Sequence, residues 1–139
     1  MSCEELTRRM DALHVTHLKE LYRLSTHITT PGEDGLLLCL YASERPMLSG
    51  ELVERMGLTT GRVANILKML EAKGLVDREQ DRQDRRKVHI ALTPAGCARA
   101  EARFREASAA HRGLLEYLGE EDSARLLDLL ERCLEYLDD

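Results

Sequence analysis

The sequence lacks the motifs that mark the common enzyme classes. It contains no glycine-rich phosphate loop, no Gly-x-Ser-x-Gly nucleophile motif and no His-Glu-x-x-His zinc motif. Its four cysteines, Cys3, Cys39, Cys97 and Cys133, lie far apart and form no Cys-x-x-Cys pair, so reduced thiols are expected. These absences predict a protein that is not an enzyme, binds no metal and needs no cofactor.

Long hydrophobic runs are missing as well. No apolar segment approaches the roughly 20 residues that a membrane-spanning helix requires. The first five residues also lack the basic and apolar regions of a signal peptide. We therefore expect a cytoplasmic protein with no membrane partner. A chain of 139 residues with 43% hydrophobic and 32% charged residues suits one helix-rich domain.

Charge is unevenly distributed along the chain. The net charge is −5. Residues 59–93 nevertheless hold eight Lys/Arg and five Asp/Glu, whereas residues 119–139 hold two basic and eight acidic groups. Because a local positive field attracts phosphate even when the whole protein is acidic, residues 59–93 are the candidate contact with a polyanion.

The positive segment has the pattern of a helix followed by a β-hairpin. A helix is predicted to begin at the hydroxyl cap of Thr59 or Thr60 and to stop at Gly74. Its apolar residues recur at helical spacing: Val63, Ile66, Leu67 and Leu70. Residues 75–76 and 88–92 are strand-like, and the charged residues 80–87 form the tip between them.

A second short helix is predicted just before this one. Residues 48–58 read as a helix capped by Ser49 and stopped by Gly57, with Leu52, Val53 and Met56 facing inward. Two short helices joined by a tight glycine turn form a helix-turn-helix, in which the second helix reads DNA. The hairpin that follows makes the unit a winged one.

The flanking segments are predicted to be helical. A first helix is expected from Cys3 to Ile28, with an apolar stripe that includes His17, and Thr29 to Gly32 are expected to end it. A central helix should cover residues 33–43. After the hairpin, Thr93 and Pro94 should start a helix that stops at Gly119, and a last helix should follow from residue 120.

The apolar stripes of the first and last helices predict a dimer. These helices are too long for a small winged unit to cover, and a symmetric partner is the usual solution. The residues assigned to the interface are Leu6, Met10, Leu13, Leu130, Leu134 and Leu137.

Two motifs resemble the MarR family of transcriptional regulators. Residues 57–78 read G-L-T-T-x-x-V-A-N-I-L-x-x-L-E-x-K-G-L-V-x-R, and residues 84–93 read D-x-R-x-x-x-x-x-L-T, which is the family's wing signature. The resemblance implies a mainly α, winged-helix (α+β) fold in which residues 1–139 form one domain. It divides that domain into a dimerisation helix (1–30), a winged helix-turn-helix (31–93) and C-terminal dimerisation helices (94–139).

The resemblance also implies a function. It indicates a homodimer that binds double-stranded DNA at a pseudo-palindromic operator and represses transcription. A small-molecule effector is typical of the family, although no pocket residue can be named from the sequence. Half-sites should lie about one helical turn, or roughly 34–36 Å, apart.

The polar face of the reading helix is the candidate DNA-binding surface. Arg62 and Asn65 suit hydrogen bonds with base edges, Thr60 suits a phosphate or a thymine methyl, and Lys68 suits the backbone. The complete candidate set on this helix is Thr59, Thr60, Arg62, Asn65 and Lys68. An ordinary solvated face is the alternative interpretation.

The hairpin tip supplies the second part of the candidate surface. The resemblance places Arg86 at the family's groove-contacting arginine. Arg82, Arg85 and Lys87 are candidate phosphate contacts, with simple solvent exposure as the alternative. A carboxylate would repel phosphate, so Asp84 is predicted to orient Arg82 or Arg86 instead of touching DNA.

Two other functions fit parts of the pattern. One is a winged-helix module that binds proteins and has no sequence-specific DNA binding, although such modules usually lack a basic wing tip. The other is a thiol- or metal-sensing regulator, because Cys3 lies near the N-terminus and His14 and His17 lie three residues apart. An incidental thiol and histidines of the core or the interface are favoured, since no carboxylate or cysteine clusters with His14 and His17 in sequence.

Overall fold

The fold contains a winged helix-turn-helix between flanking helices. The computed structural model describes residues 1–28 and 32–138, without the side chains of residues 26–28. Seven helices and three strands lie in that part of the chain: α1 (Cys3–Thr16), α2 (Leu18–Ile28), α3 (Gly32–Ser43), β1 (Met47–Leu48), α4 (Ser49–Met56), α5 (Thr60–Ala72), β2 (Val76–Gln80), β3 (Val88–Leu92), α6 (Pro94–Leu118) and α7 (Glu120–Leu137). The predicted mainly α fold class is confirmed.

The hydrophobic core lies inside the winged unit. Each element from α3 to β3 contributes an apolar face, and the start of α6 closes the core. The buried residues are Leu36, Leu37, Leu40, Met47, Leu52, Val63, Ile66, Leu67, Leu70, Val76, Ile90 and Ala100. All four apolar positions predicted for the reading helix are therefore core residues, and α3 is central as expected.

Local signals define the helix-turn-helix. Thr59 is the N-cap of α5, and its hydroxyl accepts a hydrogen bond from the backbone N–H of Arg62 at 3.1 Å. Gly57 (φ +63°) and Gly74 (φ +70°) adopt the left-handed conformation just after α4 and α5. Only residues 57–59 separate the two helices, so α5 is held at a fixed angle to α4.

The predicted cap of α4 is wrong. Leu48, not Ser49, occupies the N-cap position, and Ser49 is the first helical residue. Leu48 pairs with His89 in the sheet, which keeps its backbone extended. The carboxylate of Glu51 accepts the N–H of the N-cap residue Leu48 at 3.2 Å, whereas the Leu48 side chain has no oxygen that could accept an amide of the first helical turn.

The sheet has one strand more than the predicted hairpin. Its order is β1–β3–β2, all antiparallel. In the hairpin, Val76 pairs with Leu92 and Gln80 pairs with Val88, so β2 is longer than residues 75–76 suggested. Met47 of β1 pairs with Ile90 of β3, and its side chain is buried in the core.

The first predicted helix is in fact two helices. His17 leaves helical geometry (φ −122°, ψ 38°) and donates its N–H to the carbonyl of Leu13 at 2.9 Å, and α2 begins at Leu18. No residue of α1 is buried within the protomer. Threonine and histidine are weak helix formers, and α1 has no buried contacts that would favour a continuous helix through Thr16 and His17. The break was predicted at Thr29–Gly32. Residues 29–31, and with them the domain division at residues 30 and 31, lie outside the described residues, and Gly32 is the first residue of α3.

The C-terminal helices begin and end as predicted. Thr93 caps α6 by accepting the N–H of Gly96 at 3.0 Å, with Pro94 at the first helical position. Gly119 (φ +81°) separates α6 from α7. Helix α6 packs against α2, α3 and α7, and so joins the flanking helices to the winged unit. Within the described ranges, no helix combines the length and apolar character needed to cross a membrane.

Candidate nucleic-acid interface

Three predicted residues share the outward face of α5. Asn65, Arg62 and Lys68 are all exposed. At about 100° per residue, Arg62 and Lys68 lie about 60° to either side of Asn65, and Asn65 points nearly opposite the buried face. The helix therefore offers one amide flanked by two cations, a set that can hydrogen-bond base edges and neutralise phosphates.

The two threonines lie elsewhere. The Thr59 hydroxyl accepts the N–H of Arg62, so one of its acceptor positions is already used for the cap. Thr60 lies about 140° around the helix from Asn65. It lines a groove of about 270 Å³ between α4, α5 and β2, together with Ser49, Gly50 and Arg78. The structure thus places Thr60 on the flank of α5 and not beside Asn65.

Ion pairs hold the C-terminal end of α5. Lys73 Nζ lies 2.6 Å from Glu33 Oε2 on α3, and Arg78 Nε on β2 lies 2.8 Å from Glu71 Oε2. Partly exposed pairs of this kind contribute about 0–1 kcal/mol each. They connect the C-terminal end of the reading helix to α3 and to β2 of the wing.

The wing tip is a compact loop. The N–H of Asp81 donates to the carbonyl of Lys87 at 2.9 Å, and the N–H of Lys87 donates to the carbonyl of Asp84 at 3.0 Å. These bonds continue the hairpin beyond its last strand pair. Arg82, Arg85, Arg86 and Lys87 are all exposed around this loop.

Asp84 holds Arg86. Its Oδ1 accepts the backbone N–H of Arg86 at 3.1 Å and the side-chain Nε–H at 3.2 Å, and its Oδ2 accepts from Nη2 at 3.4 Å. The hydrogen bonds from the Arg86 side chain and backbone lower the pKa of Asp84. The Arg86 side chain stays 92% exposed. Among the described residues Asp84 is bonded to Arg86 and not to Arg82, which separates the two predicted alternatives.

A second wing carboxylate was missed by the sequence analysis. Asp81 Oδ1 accepts the N–H of Gln83 at 2.8 Å and of Asp84 at 3.0 Å, and Asp81 Oδ2 lies 2.8 Å from His89 Nε2 on β3. Bonds from His89 first, then from Asp84 and Gln83, lower the pKa of Asp81 to about 2. The available signal was an aspartate at the start of a turn, where it accepts N–H groups two and three residues on.

The predicted interface residues lie on an uncovered apolar surface. In the protomer Leu6, Met10, Leu13, Leu134 and Leu137 are exposed, whereas Leu130 is half-buried. Further exposed apolar residues lie on α1, α2 and α7: Val15, Leu18, Leu21, Tyr22, Leu24, Leu127, Leu129 and Tyr136. So many exposed apolar residues on three helices mark a candidate interaction surface.

A cavity lies between part of α6 and the winged unit. It measures about 840 Å³ and lies between α3, β3 and α6. Most of its lining is apolar, and the polar groups come from Tyr41, Glu44, Arg45, Ser108 and His111. The rings of Tyr41 and Phe104 meet there with centroids 6.3 Å apart.

The thiols and histidines show no shared site in the described residues. Cys3 and Cys133 are exposed, Cys39 and Cys97 are half-buried, and all four are free. Burial raises the pKa of the Cys39 thiol despite a hydrogen bond with Arg55. Among the side chains of residues 1–25 and 32–138, no three from His, Cys, Asp or Glu are close enough to bind one metal ion.

The pairing of α4 with α5 and the hairpin of β2 and β3 define a winged helix-turn-helix protein. Residues 29–88 match the model of the MarR family. This match covers 60 of the 139 residues and identifies that part of the chain as a MarR-family sequence.

Relatives and solved structures agree with this assignment. Over 94 residues, 68% of this chain, the sequence is 31% identical to the uncharacterized HTH-type transcriptional regulator YcgE of Bacillus subtilis (strain 168), and the match spans 61% of that relative. The chain therefore matches about three fifths of the length of this curated relative. The structure of Staphylococcus aureus MepR in a DNA complex is similar over 98% of both chains, with a TM-score of 0.69 and 25% identity. Streptococcus pneumoniae FabT in complex with DNA has the same fold, with a TM-score of 0.70 at 24% identity over 98% of this chain and 94% of FabT.

Proposed function

We propose that the protein is a transcriptional regulator that binds a pseudo-palindromic operator in double-stranded DNA as a homodimer and acts as an effector-responsive repressor. The observation that carries the proposal is the pairing of Asp84 with Arg86 on the wing. The Arg86 side chain is 92% exposed, and Asp84 accepts one hydrogen bond from the Arg86 backbone N–H and two from its guanidinium. An arginine restrained in this way has lost part of its side-chain freedom before it binds, which favours insertion into a minor groove.

The reading helix supports the same function. Asn65 can make a bidentate contact with adenine, and Arg62 can make one with guanine. Lys68, on the other side of Asn65, is suited to a backbone phosphate. MepR and FabT, which share the fold, have been solved in complexes with DNA. We propose the corresponding role for α5 and the wing of this chain.

The exposed helices α1, α2 and α7 support the dimer. Burying their apolar residues against a second copy contributes about 25 cal/mol for each Å² removed from water. A twofold axis through this surface would present two winged units to one face of DNA. Each unit would read one half-site, with the half-sites separated by about 34–36 Å.

The cavity between α6 and the winged unit is the proposed effector site. Its volume of about 840 Å³ is within the usual range for a small ligand. Its apolar lining and few polar groups suit a small aromatic or aliphatic molecule with one acidic or polar end. Because α3 and α6 both line the cavity, a bound ligand would change the position of α6 relative to the winged unit.

A selection experiment tests the proposal. Full-length protein is incubated with a random pool of 40-base-pair duplexes, and the bound DNA is sequenced. We expect an inverted repeat whose log affinity falls linearly with log salt, because phosphate contacts release counterions. Analytical ultracentrifugation should show a dimer before and after DNA is added. A pool that stays random after selection, with no affinity above that for bulk DNA, would favour the protein-interaction module instead.

A further inference from the structure

We propose that Asp81 is the positioning residue of the wing: through Asp84 it sets the location of Arg86 on DNA, and its bond with His89 makes DNA affinity pH-dependent. The inference rests on the proposed function. Asp81 connects three parts of the wing, because its two carboxylate oxygens accept from Gln83 and Asp84 in the tip and from His89 on β3.

The tip depends on these side-chain bonds because strand pairing does not reach it. The ladder of β2 and β3 ends at the pair of Gln80 and Val88. Beyond it, two backbone bonds and a weak 3.4 Å bond from the Gln80 side chain to the Arg85 carbonyl close the loop. Asp81 Oδ1 fixes the N–H of Asp84, and Asp84 in turn holds Arg86. The two carboxylates therefore act in series.

The direction of the change in DNA affinity on removing the Asp81 carboxylate tests its role. An aspartate near phosphate repels it, so removing a carboxylate should on electrostatic grounds tighten DNA binding. If Asp81 instead positions Arg86, removing it should weaken binding. Asp77 is a matched control, because it is an exposed carboxylate on β2 that pairs with Ala91 and lies outside the tip.

The His89 bond gives a second readout. An ionised carboxylate only accepts hydrogen bonds, so His89 Nε2 donates, and protonation of the imidazole adds a charge to that bond. The groups beside His89 are Glu79 on β2, Leu48 on β1 and, two residues earlier at the end of the tip, Lys87. Because protonation strengthens this bond, acid should order the wing better and raise DNA affinity.

The experiment compares variants on the tightest duplex from the random-pool selection. Asp81→Ala should lose about tenfold or more in affinity, whereas Asp77→Ala should bind equally or more tightly. Asp81→Asn can still accept the tip N–H groups and can donate to a neutral imidazole. It should keep wild-type affinity within about twofold at pH 8 but lose the gain between pH 8 and pH 6. His89→Gln should lose the same gain. The inference is overturned if Asp81→Ala binds as tightly as Asp77→Ala.

Hydrogen exchange in the free protein separates this inference from the proposed function. The Asp84 amide should exchange slowly in the wild type and faster in Asp81→Ala, with circular dichroism showing an unchanged fold. Equal exchange rates overturn the inference whether or not the protein binds DNA. If the amide is protected through Asp81 but the wild type selects no duplex, the proposed function fails while Asp81 still orders the tip.

Discussion

Gly96 in α6 packs directly against the backbone carbonyl of Leu75 at the base of the wing. A Cβ at position 96 would overlap that oxygen and would lie 3.2 Å from Cδ2 of Leu92. The same Leu75 carbonyl accepts the N–H of Thr93 at 3.1 Å, and the Thr93 hydroxyl donates to the carbonyl of Gly74 at 2.6 Å. The start of α6 is thereby locked to the end of the reading helix.

Gly96→Ala should destabilise the protein, because backbone at both sides of the contact would have to move. Overpacking of this kind costs about 1–3 kcal/mol. Gly113→Ala is the control in the same helix, since a Cβ there meets nothing within 4 Å of it in the protomer. That change should be neutral or gain up to about 1 kcal/mol from helix propensity. Urea unfolding at one protein concentration measures both, and equal midpoints would contradict the close contact.

Arg86→Ala should weaken specific DNA binding by about 1–3 kcal/mol, because the side chain is the exposed end of the Asp84 pair. Its exposure also means that the unfolding midpoint should not change. Arg105→Ala, at an exposed position on α6, is the control and should leave affinity unaltered. A gel-shift titration on the selected duplex measures the effect. Unchanged operator affinity in Arg86→Ala would remove this residue from the interface.

Asn65→Ala and Lys68→Ala should differ in kind. Loss of the Asn65 amide should relax preference at one base pair, because amides read base edges. Loss of the Lys68 ammonium should lower affinity evenly across sequences and reduce the salt slope by about one unit. Affinities over a library of single base-pair substitutions measure both. Matching profiles would show that the two residues are not divided into a base reader and a phosphate anchor.

Leu134→Asp should dissociate the proposed dimer. Leu134 is 61% exposed in the protomer, so the substitution tests the interface without entering the protomer's own core. Leu130 is half-buried, so a substitution there could unfold the protomer as well as break the dimer interface. An unpaired carboxylate buried twice in a symmetric interface costs several kcal/mol, and operator binding should fail with dimerisation.

Ala124→Asp is the matched control for the dimer, because it introduces the same side chain at an exposed position of α7. At about 100° per residue, Ala124 lies within about 40° of Asp128, Glu131 and Glu135, on the acidic side of the helix. Sedimentation should show a dimer for this variant and a monomer for Leu134→Asp, with helix content retained in both. A Leu134→Asp protein that sediments like the wild type would place the interface elsewhere.

Glu51 should make stability depend on acid pH. The side-chain bond from Arg45 first, and then the N–H of Leu48, lower the pKa of Glu51 to about 2. A carboxyl group with a lowered pKa stabilises the fold above its ordinary value of 4.5 and loses that effect as the pH falls toward 2. The gap between the urea midpoints of wild type and Glu51→Gln should therefore be present at pH 6 and shrink between pH 4.5 and 2. Glu54→Gln is the control on the same helix, and a constant gap for Glu51→Gln would contradict the linkage.

The features that the sequence predicted well are those with local causes. The spacing of Val63, Ile66, Leu67 and Leu70 alone defines the buried face of α5, and Gly57 and Gly74 mark helix ends because few other residues adopt positive φ. Thr93 and Pro94 marked the start of α6 because a hydroxyl cap followed by proline is typical of a first helical turn. The reading face followed from the buried face, since the two lie opposite each other on one helix.

The features that were missed depend on distant partners. Strand β1 exists only because Met47 meets Ile90, more than forty residues later, and that pairing also moved the cap of α4 from Ser49 to Leu48. The bond of Asp81 with His89 needs the hairpin register before it can be seen. The helix break at His17 carries no proline or glycine, and the apolar spacing continues across it. Periodicity could therefore not reveal it.

The strand order β1–β3–β2 also protects the molecule from aggregation. A sheet edge with unpaired backbone groups is a template for another chain, and a protein built around an exposed hairpin carries that risk permanently. Here one edge strand, β1, is two residues long, and the other, β2, carries Asp77, Arg78 and Glu79 in succession. A short edge offers too few hydrogen bonds for an incoming strand, and a charged edge makes that strand desolvate ions. The wing can thus reach far into solvent without recruiting further copies of itself.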